Sequence, residues 1–214
     1  MPLNHRLCAL LAATLVCAAS PVFALTPEQA QQFKSLANAG QYDQAYNMMR
    51  PLAQQGDAVA QYDLGVLYAY GRGVAQDYVQ ARMWFEKAAV QGHAKAQHNL
   101  GVLYDNGLGG AQDYAQARTW YEKAAAQGDS MAQNNLGVLY SEGQGAPQDW
   151  EQAIAWWEKS AAQGNKSAQR NLAKTYAFGQ GVPQDLEKAR EWYIKAGSKE
   201  NAEILQKHLK RNAP

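Results

Sequence analysis

The residues in this chain with chemistry to offer are its histidines, cysteines, serines and paired glycines, and their spacing excludes most of that chemistry. A metal site or acid–base pair needs groups that one element can bring to a common point. His93 sits at the start of a helical stretch, His98 follows five residues later and His208 lies in the tail, so none of these pairs has helical ligand spacing. Cys8 and Cys17 both fall in an N-terminal stretch that reads as removable, which leaves no thiol for a disulfide, a thiolate metal site or a nucleophile. No serine is followed three residues later by lysine, and neither His-Glu-x-x-His nor Gly-x-Ser-x-Gly occurs. The glycine pairs, Gly71 with Gly73 and their counterparts at Gly107 and Gly109, Gly143 and Gly145, and Gly179 and Gly181, could suggest a phosphate cradle. No Lys-Ser or Lys-Thr follows them and no strand precedes them, so they read as turn residues. No catalytic residue, metal ligand or cofactor is expected.

The elements that carry these residues follow from an internal repeat. Asp63-Leu64-Gly65-Val66-Leu67-Tyr68 recurs at Asn99, Asn135 and, more loosely, Asn171, each start 36 residues after the last. The same offset carries Trp84 onto Trp120, Trp156 and Trp192, Ala81 onto Ala117, Ala153 and Ala189, and Gly56 onto Gly92, Gly128 and Gly164. Within a unit the apolar residues keep a helical period. Ala60, Leu64, Leu67 and Tyr68 share one face, as do Ala81, Trp84, Phe85, Ala88 and Ala89 about twenty residues on. Each unit therefore predicts a helix pair, the first helix over Ala58–Tyr70 and the second over Tyr78–Gln91 in the first unit. Asp77, Asp113, Asp149 and Asp185 stand where a side-chain oxygen would cap the second helix, and Gln80, Gln116 and Gln152 three residues later predict a capping box. Asp57, His93, Asp129 and Asn165 stand where they would cap the first. Gly65, Gly101 and Gly137 lie inside the first helix, where close approach of a tryptophan is the expected reason for them.

Helices of about a dozen residues are marginal alone, so the pairs must stack. The fold class is all-α, an α-solenoid of antiparallel helix pairs with 36-residue repeats. The expected organisation is a signal peptide over 1–24, a degenerate N-terminal repeat or cap over 25–56, and four repeats at 57–92, 93–128, 129–164 and 165–197. A C-terminal capping helix is expected over 198–214. The signal reading rests on Arg6, an apolar run from Leu7 to Ala19 and the small residues of Val22-Phe23-Ala24, with cleavage expected after Ala24. That run is too short for a stable membrane span, and Cys17 lacks the flanks of an acylation site, with Thr14 and Val16 before it. The formal charge is +1, and loss of Arg6 with the signal leaves basic and acidic residues at 19 each, which offers nothing to nucleic acid or an anionic membrane.

The recurring Ala-Gln-x-x-Leu-Gly-x-x-Tyr, Gly-x-Gly, Gln-Asp-x-x-x-Ala, Trp-aromatic and Ala-Ala-x-Gln-Gly closely resembles the Sel1-like repeat, a relative of the tetratricopeptide repeat. The resemblance covers residues 58 to about 197 and implies a right-handed superhelix acting as an adaptor in bacterial envelope, secretion, signalling or host-contact complexes. A similar cysteine-rich secreted group of Helicobacter is linked to penicillin binding or β-lactamase activity, and this chain departs from it in having no repeat cysteine.

Sites in such an array belong where the units differ. On the first helix the positions opposite Leu64 run Val59, Lys95, Met131, Ser167; Tyr62, His98, Asn134, Arg170; Val66, Val102, Val138, Lys174; and Tyr70, Asn106, Glu142, Phe178. By analogy with related solenoids the first helices line the concave side, which makes Tyr62, His98, Asn134, Arg170 and Lys174 the candidate contacts for a protein or peptide partner, including an envelope or host protein. The expected function is an exported, non-catalytic scaffold in the periplasm or outside the cell; the alternative is a secreted β-lactamase-like or cell-wall-ligand-binding protein.

Overall fold

The computed structural model describes residues 24–211, so the expected signal peptide lies outside the described residues up to position 23. The described residues form eleven helices: α1 (Pro27–Asn38), α2 (Tyr42–Gln54), α3 (Ala58–Tyr70), α4 (Tyr78–Val90), α5 (Ala94–Asn106), α6 (Tyr114–Ala126), α7 (Ser130–Glu142), α8 (Trp150–Ala162), α9 (Lys166–Phe178), α10 (Leu186–Lys195) and α11 (Lys199–Arg211). The helices α3, α5, α7 and α9 are the first helices of the four units, and α4, α6, α8 and α10 are the second. Helices α1 and α2 form the degenerate front pair, and α11 packs on α10 at the back.

Side-chain caps start these helices. Asp113 Oδ1 accepts from the Gln116 backbone N–H at 3.0 Å, and Asp77, Asp149 and Asp185 repeat the bond in their units. At the first helices Asp57, His93, Asp129 and Asn165 do the same. The capping box expected on the second helices is half formed, with the aspartate bond only. The complete box is at α1, where Thr26 Oγ1 accepts from Gln29 N at 3.2 Å and Gln29 Oε1 accepts from Thr26 N at 2.9 Å.

The core repeats along the stack. Leu64 packs with Met49 and Ala53 of α2 and with Trp84 of α4, and Leu100 with Phe85, Ala88 and Trp120 one unit on. Each unit thus completes the apolar face of its predecessor, and burying one such leucine contributes about 1.5–3 kcal/mol. The glycines inside the first helices lie under the second aromatic column. A Cβ on Gly101 would meet Tyr121 Cδ1 at 2.6 Å, with Phe85 over Gly65 and Trp157 over Gly137. The expected tryptophan is therefore found at Gly137 alone, because the Trp84 column points one position round the helix. Trp84 and Trp120 are buried, while Trp156 and Trp192 are half-buried. Above them lie Lys87, Lys123, Lys159 and Lys195, with Nζ 3.9–4.3 Å from the ring centroids.

Glutamines tie consecutive units together. Gln97 Nε2 donates to the Ala89 carbonyl at the end of the preceding helix, 3.0 Å away, while Gln97 Oε1 accepts from Gln127 at 2.7 Å. Gln61 with Gln91 and Gln133 with Gln163 repeat the arrangement. In the last unit α10 has 10 residues against 13 in α8, the position matching Gln163 at the 36-residue offset is Lys199 at the start of α11, and Gln169 Oε1 is buried without a partner among the described residues.

Candidate interaction surface

The first helices stack side by side, which brings every thirty-sixth residue into line. Their shared face carries a polar ladder across three units. His98 Nδ1 lies 3.2 Å from Asn99 Oδ1, and Asn135 Nδ2 lies 3.5 Å from His98 Nε2 in the next unit. Asn134 Nδ2 donates to Asn135 Oδ1 at 3.2 Å, and Asn171 Nδ2 donates to Asn134 Oδ1 at 3.2 Å, which extends the ladder into the fourth unit. Burial holds the His98 imidazole below its ordinary value, against the opposing charge of Asp129, so the ring is neutral at pH 7. The neutral tautomer protonated at Nδ1 donates to Asn99 and accepts from Asn135, satisfying both ring nitrogens.

The five residues singled out from the sequence fall along this face with different roles. Tyr62 is half-buried and stacks on His93, with ring centroids 4.7 Å apart. His98 is 8% exposed and lies against Tyr121, so it holds the ladder in register from beneath. Asn134 is half-buried, its carbonyl accepting from Trp157 Nε1 at 3.1 Å while its side chain faces Asn171. Arg170 is half-buried and its Nη2 donates to Ser167 Oγ at 3.1 Å, and Lys174 is exposed. In the adjacent column Val66, Val102 and Val138 pack against the aromatic clusters, and Lys174 breaks that apolar run. The face therefore passes from aromatic at Tyr62, through neutral amides, to cationic at Arg170 and Lys174.

At the Tyr62 end the face opens into a cavity of about 380 Å³ lined by Leu25, Phe33, Tyr62, Asp63, His93 and Lys95 among others. Burial, with a smaller contribution from the charge of Asp57, pushes the Asp63 carboxyl up to about 7. The ladder asparagines Asn99, Asn135 and Asn171, and Asp63 in the same column, did not stand out in the sequence because they recur as part of the repeat frame. The one signal was the change from Asn to Asp in the first unit. Among the described residues there is no group of three or more His, Cys, Asp or Glu that could hold a metal ion, and no described helix is long and apolar enough to cross a membrane.

The Sel1 repeat profile matches residues 58–93, 94–129, 130–165 and 166–201. Among solved structures the chain is similar to a protective antigen of uropathogenic Escherichia coli that displays an SLR fold, with 43% identity and a TM-score of 0.69, over 72% of this chain and 33% of that one. The chain thus spans about a third of that antigen's length. A Sel1 repeat protein of Oxalobacter formigenes is 33% identical with a TM-score of 0.72, covering 82% of this chain and 76% of its own. A Sel1 repeat protein of Klebsiella pneumoniae is 26% identical with a TM-score of 0.54, over 86% and 90%. Among curated proteins none matches. Four contiguous matched units, occupying well over half of the chain, carry the conclusion that this protein belongs to the Sel1 repeat family.

Proposed function

We propose that this protein is an exported, non-catalytic adaptor that holds a protein or peptide partner along the face formed by its first helices. Sel1 repeats mediate protein–protein interaction, and the single observation that supports this surface is the amide ladder from His98 to Asn171, continuous across three units. Asparagine side chains offer both a donor and an acceptor, which is what an extended backbone needs from its partner. Tyr62 supplies an aromatic anchor at one end. Arg170 and Lys174 favour acidic groups at the other, so the partner segment would present an apolar residue towards Tyr62 and carboxylates towards Arg170. The periplasm or the cell exterior is the proposed location, following from the signal expected over 1–24.

A photo-crosslinking amino acid at Asn134, compared with one at the 62%-exposed Val79 on α4, tests the surface. Adducts in envelope extract from position 134 and none from position 79 are the expected result. Equal labelling from both positions would place the partner elsewhere.

A further inference from the structure

The first described residues are held by a contact that the other units do not have. The Leu25 side chain packs against the cluster that contains Met49, Ala53, Ala60 and Leu64. Its backbone nitrogen donates to Asp57 Oδ2 at 2.7 Å, across 32 residues of chain. Asp57 is 5% exposed, and its other oxygen, Oδ1, caps α3 by accepting from Ala60 N at 2.7 Å. Among the described residues Asp57 takes part in no ion pair. The Asp57 carboxylate is thus served by two backbone amides and the N-terminus of α3 but by no full positive charge, and a buried carboxylate favours pairing with one.

The front unit also carries a second aspartate, with Lys34 of α1 and Lys95 of α5 lining the same cavity. Asp63 lines the same cavity as Leu25, and its counterparts one, two and three units on are Asn99, Asn135 and Asn171. The counterparts of Asp57 are His93, Asp129 and Asn165, so the front unit alone places an aspartate in both columns. An amide at Leu25 brings one proton and no charge to that site, whereas an α-ammonium would bring three protons and a positive charge. Ala24, the residue before it, is exposed, and Val22 and Ala24 are the small residues that an export endopeptidase accepts before its scissile bond.

We propose that hydrolysis of the Ala24–Leu25 peptide bond turns the Leu25 nitrogen into an α-ammonium that pairs with the buried Asp57 carboxylate and locks α1 and α2 onto the first unit. In that step the oxygen of water bonds to the Ala24 carbonyl carbon and the carbon–nitrogen bond breaks. Ala24 leaves as a carboxylate, and both hydrogens of the water end on the Leu25 nitrogen. Removal of the signal would thus complete the fold at its front end as well as release the chain. The processing step rests on the export reading above, whereas the pairing can be tested without it.

The test compares chains with defined N-termini: one beginning at Leu25 with a free amine, one extended by Gly-Ala before Leu25, and both with Asp57→Asn, which keeps a capping oxygen on α3. The free-amine chain is expected to melt about 3 °C above the extended one, and Asp57→Asn is expected to close that gap. Equal melting of the first two, or a gap that survives Asp57→Asn, would overturn the pairing while leaving export untouched. In a second arm, the first residue of the full-length chain expressed in a bacterium is read by mass spectrometry of the envelope fraction. Leu25 at the N-terminus supports the processing step. A chain trimmed elsewhere overturns it, and an uncut chain confined to the cytoplasm removes the export reading with it.

Discussion

At Gly101 an added methyl would gain about 1 kcal/mol of helix propensity and lose more than that to crowding. Its Cβ would stand 2.6 Å from two ring carbons of Tyr121, which is fully buried and donates its hydroxyl to Asp105 Oδ2 at 3.1 Å. Overpacking of a held ring costs about 1–3 kcal/mol, so Gly101→Ala is expected to lower stability on balance, read from the urea midpoint. An unchanged or raised midpoint would show that the ring can move aside. Asp63 makes a prediction about pH. With its folded carboxyl near 7 against an ordinary 3.8, the folded state binds the proton more tightly. Its contribution is then fully present below about pH 4 and lost as pH rises through 7. In a chain whose Leu25 nitrogen is still an amide, Asp63→Asn should flatten that part of the melting-temperature profile and raise melting most at pH 8. A profile unchanged by the substitution would contradict the placement of Asp63. The sequence displays the Asn-to-Asp change as one letter in a column, but not its meaning, because that depends on Leu25 and Asp57 meeting across 32 residues.

The helices themselves were the most legible part of the chain. Ala58–Tyr70 came directly from the spacing of Ala60, Leu64 and Leu67, and the cap positions from single residues such as Asp113 and Asn165. Less legible were the pairings between helices. The glutamine ladder, the aromatic ring over each glycine and the half-formed capping boxes all depend on how the units are rotated against one another, and a repeat of residue types alone does not state that rotation. The front pair shows how an end element differs. Pro51 sits inside α2, in the column occupied by Lys87, Lys123 and Lys159, and Met48 takes the place of Trp84. Proline in a helix interior removes a backbone hydrogen bond and costs about 3 kcal/mol. Pro51→Ala should therefore raise amide-exchange protection in α2, with little change in α7. Protection that is unchanged in α2 would mean that the helix is already bent to suit the proline.

In the whole molecule, stability is shared between neighbours, and so is the proposed recognition. Since each leucine cluster is closed by a tryptophan from its own unit and a helix from the one before, removing one plug should weaken two interfaces at once. Trp120→Ala is expected to cost about 3–5 kcal/mol, seen as a lower urea midpoint and as lost amide protection in α5 and α6 before α9. A shift well below 1 kcal/mol would show the column to be dispensable. The proposed recognition follows the same geometry, because the ladder exists only while consecutive first helices remain in register. The central claim, that this face holds a partner, is tested most directly by affinity capture from envelope extract with a chain beginning at Leu25 and its Tyr62→Ala plus Arg170→Ala variant. Both side chains are half-buried at the two ends of the face; Tyr62 also packs against the Leu100 cluster and Phe85, so the fold of the variant is checked alongside capture. The variant is expected to keep the helical circular dichroism of the parent and to lose the captured partner. Undiminished capture by a folded variant would contradict the claim.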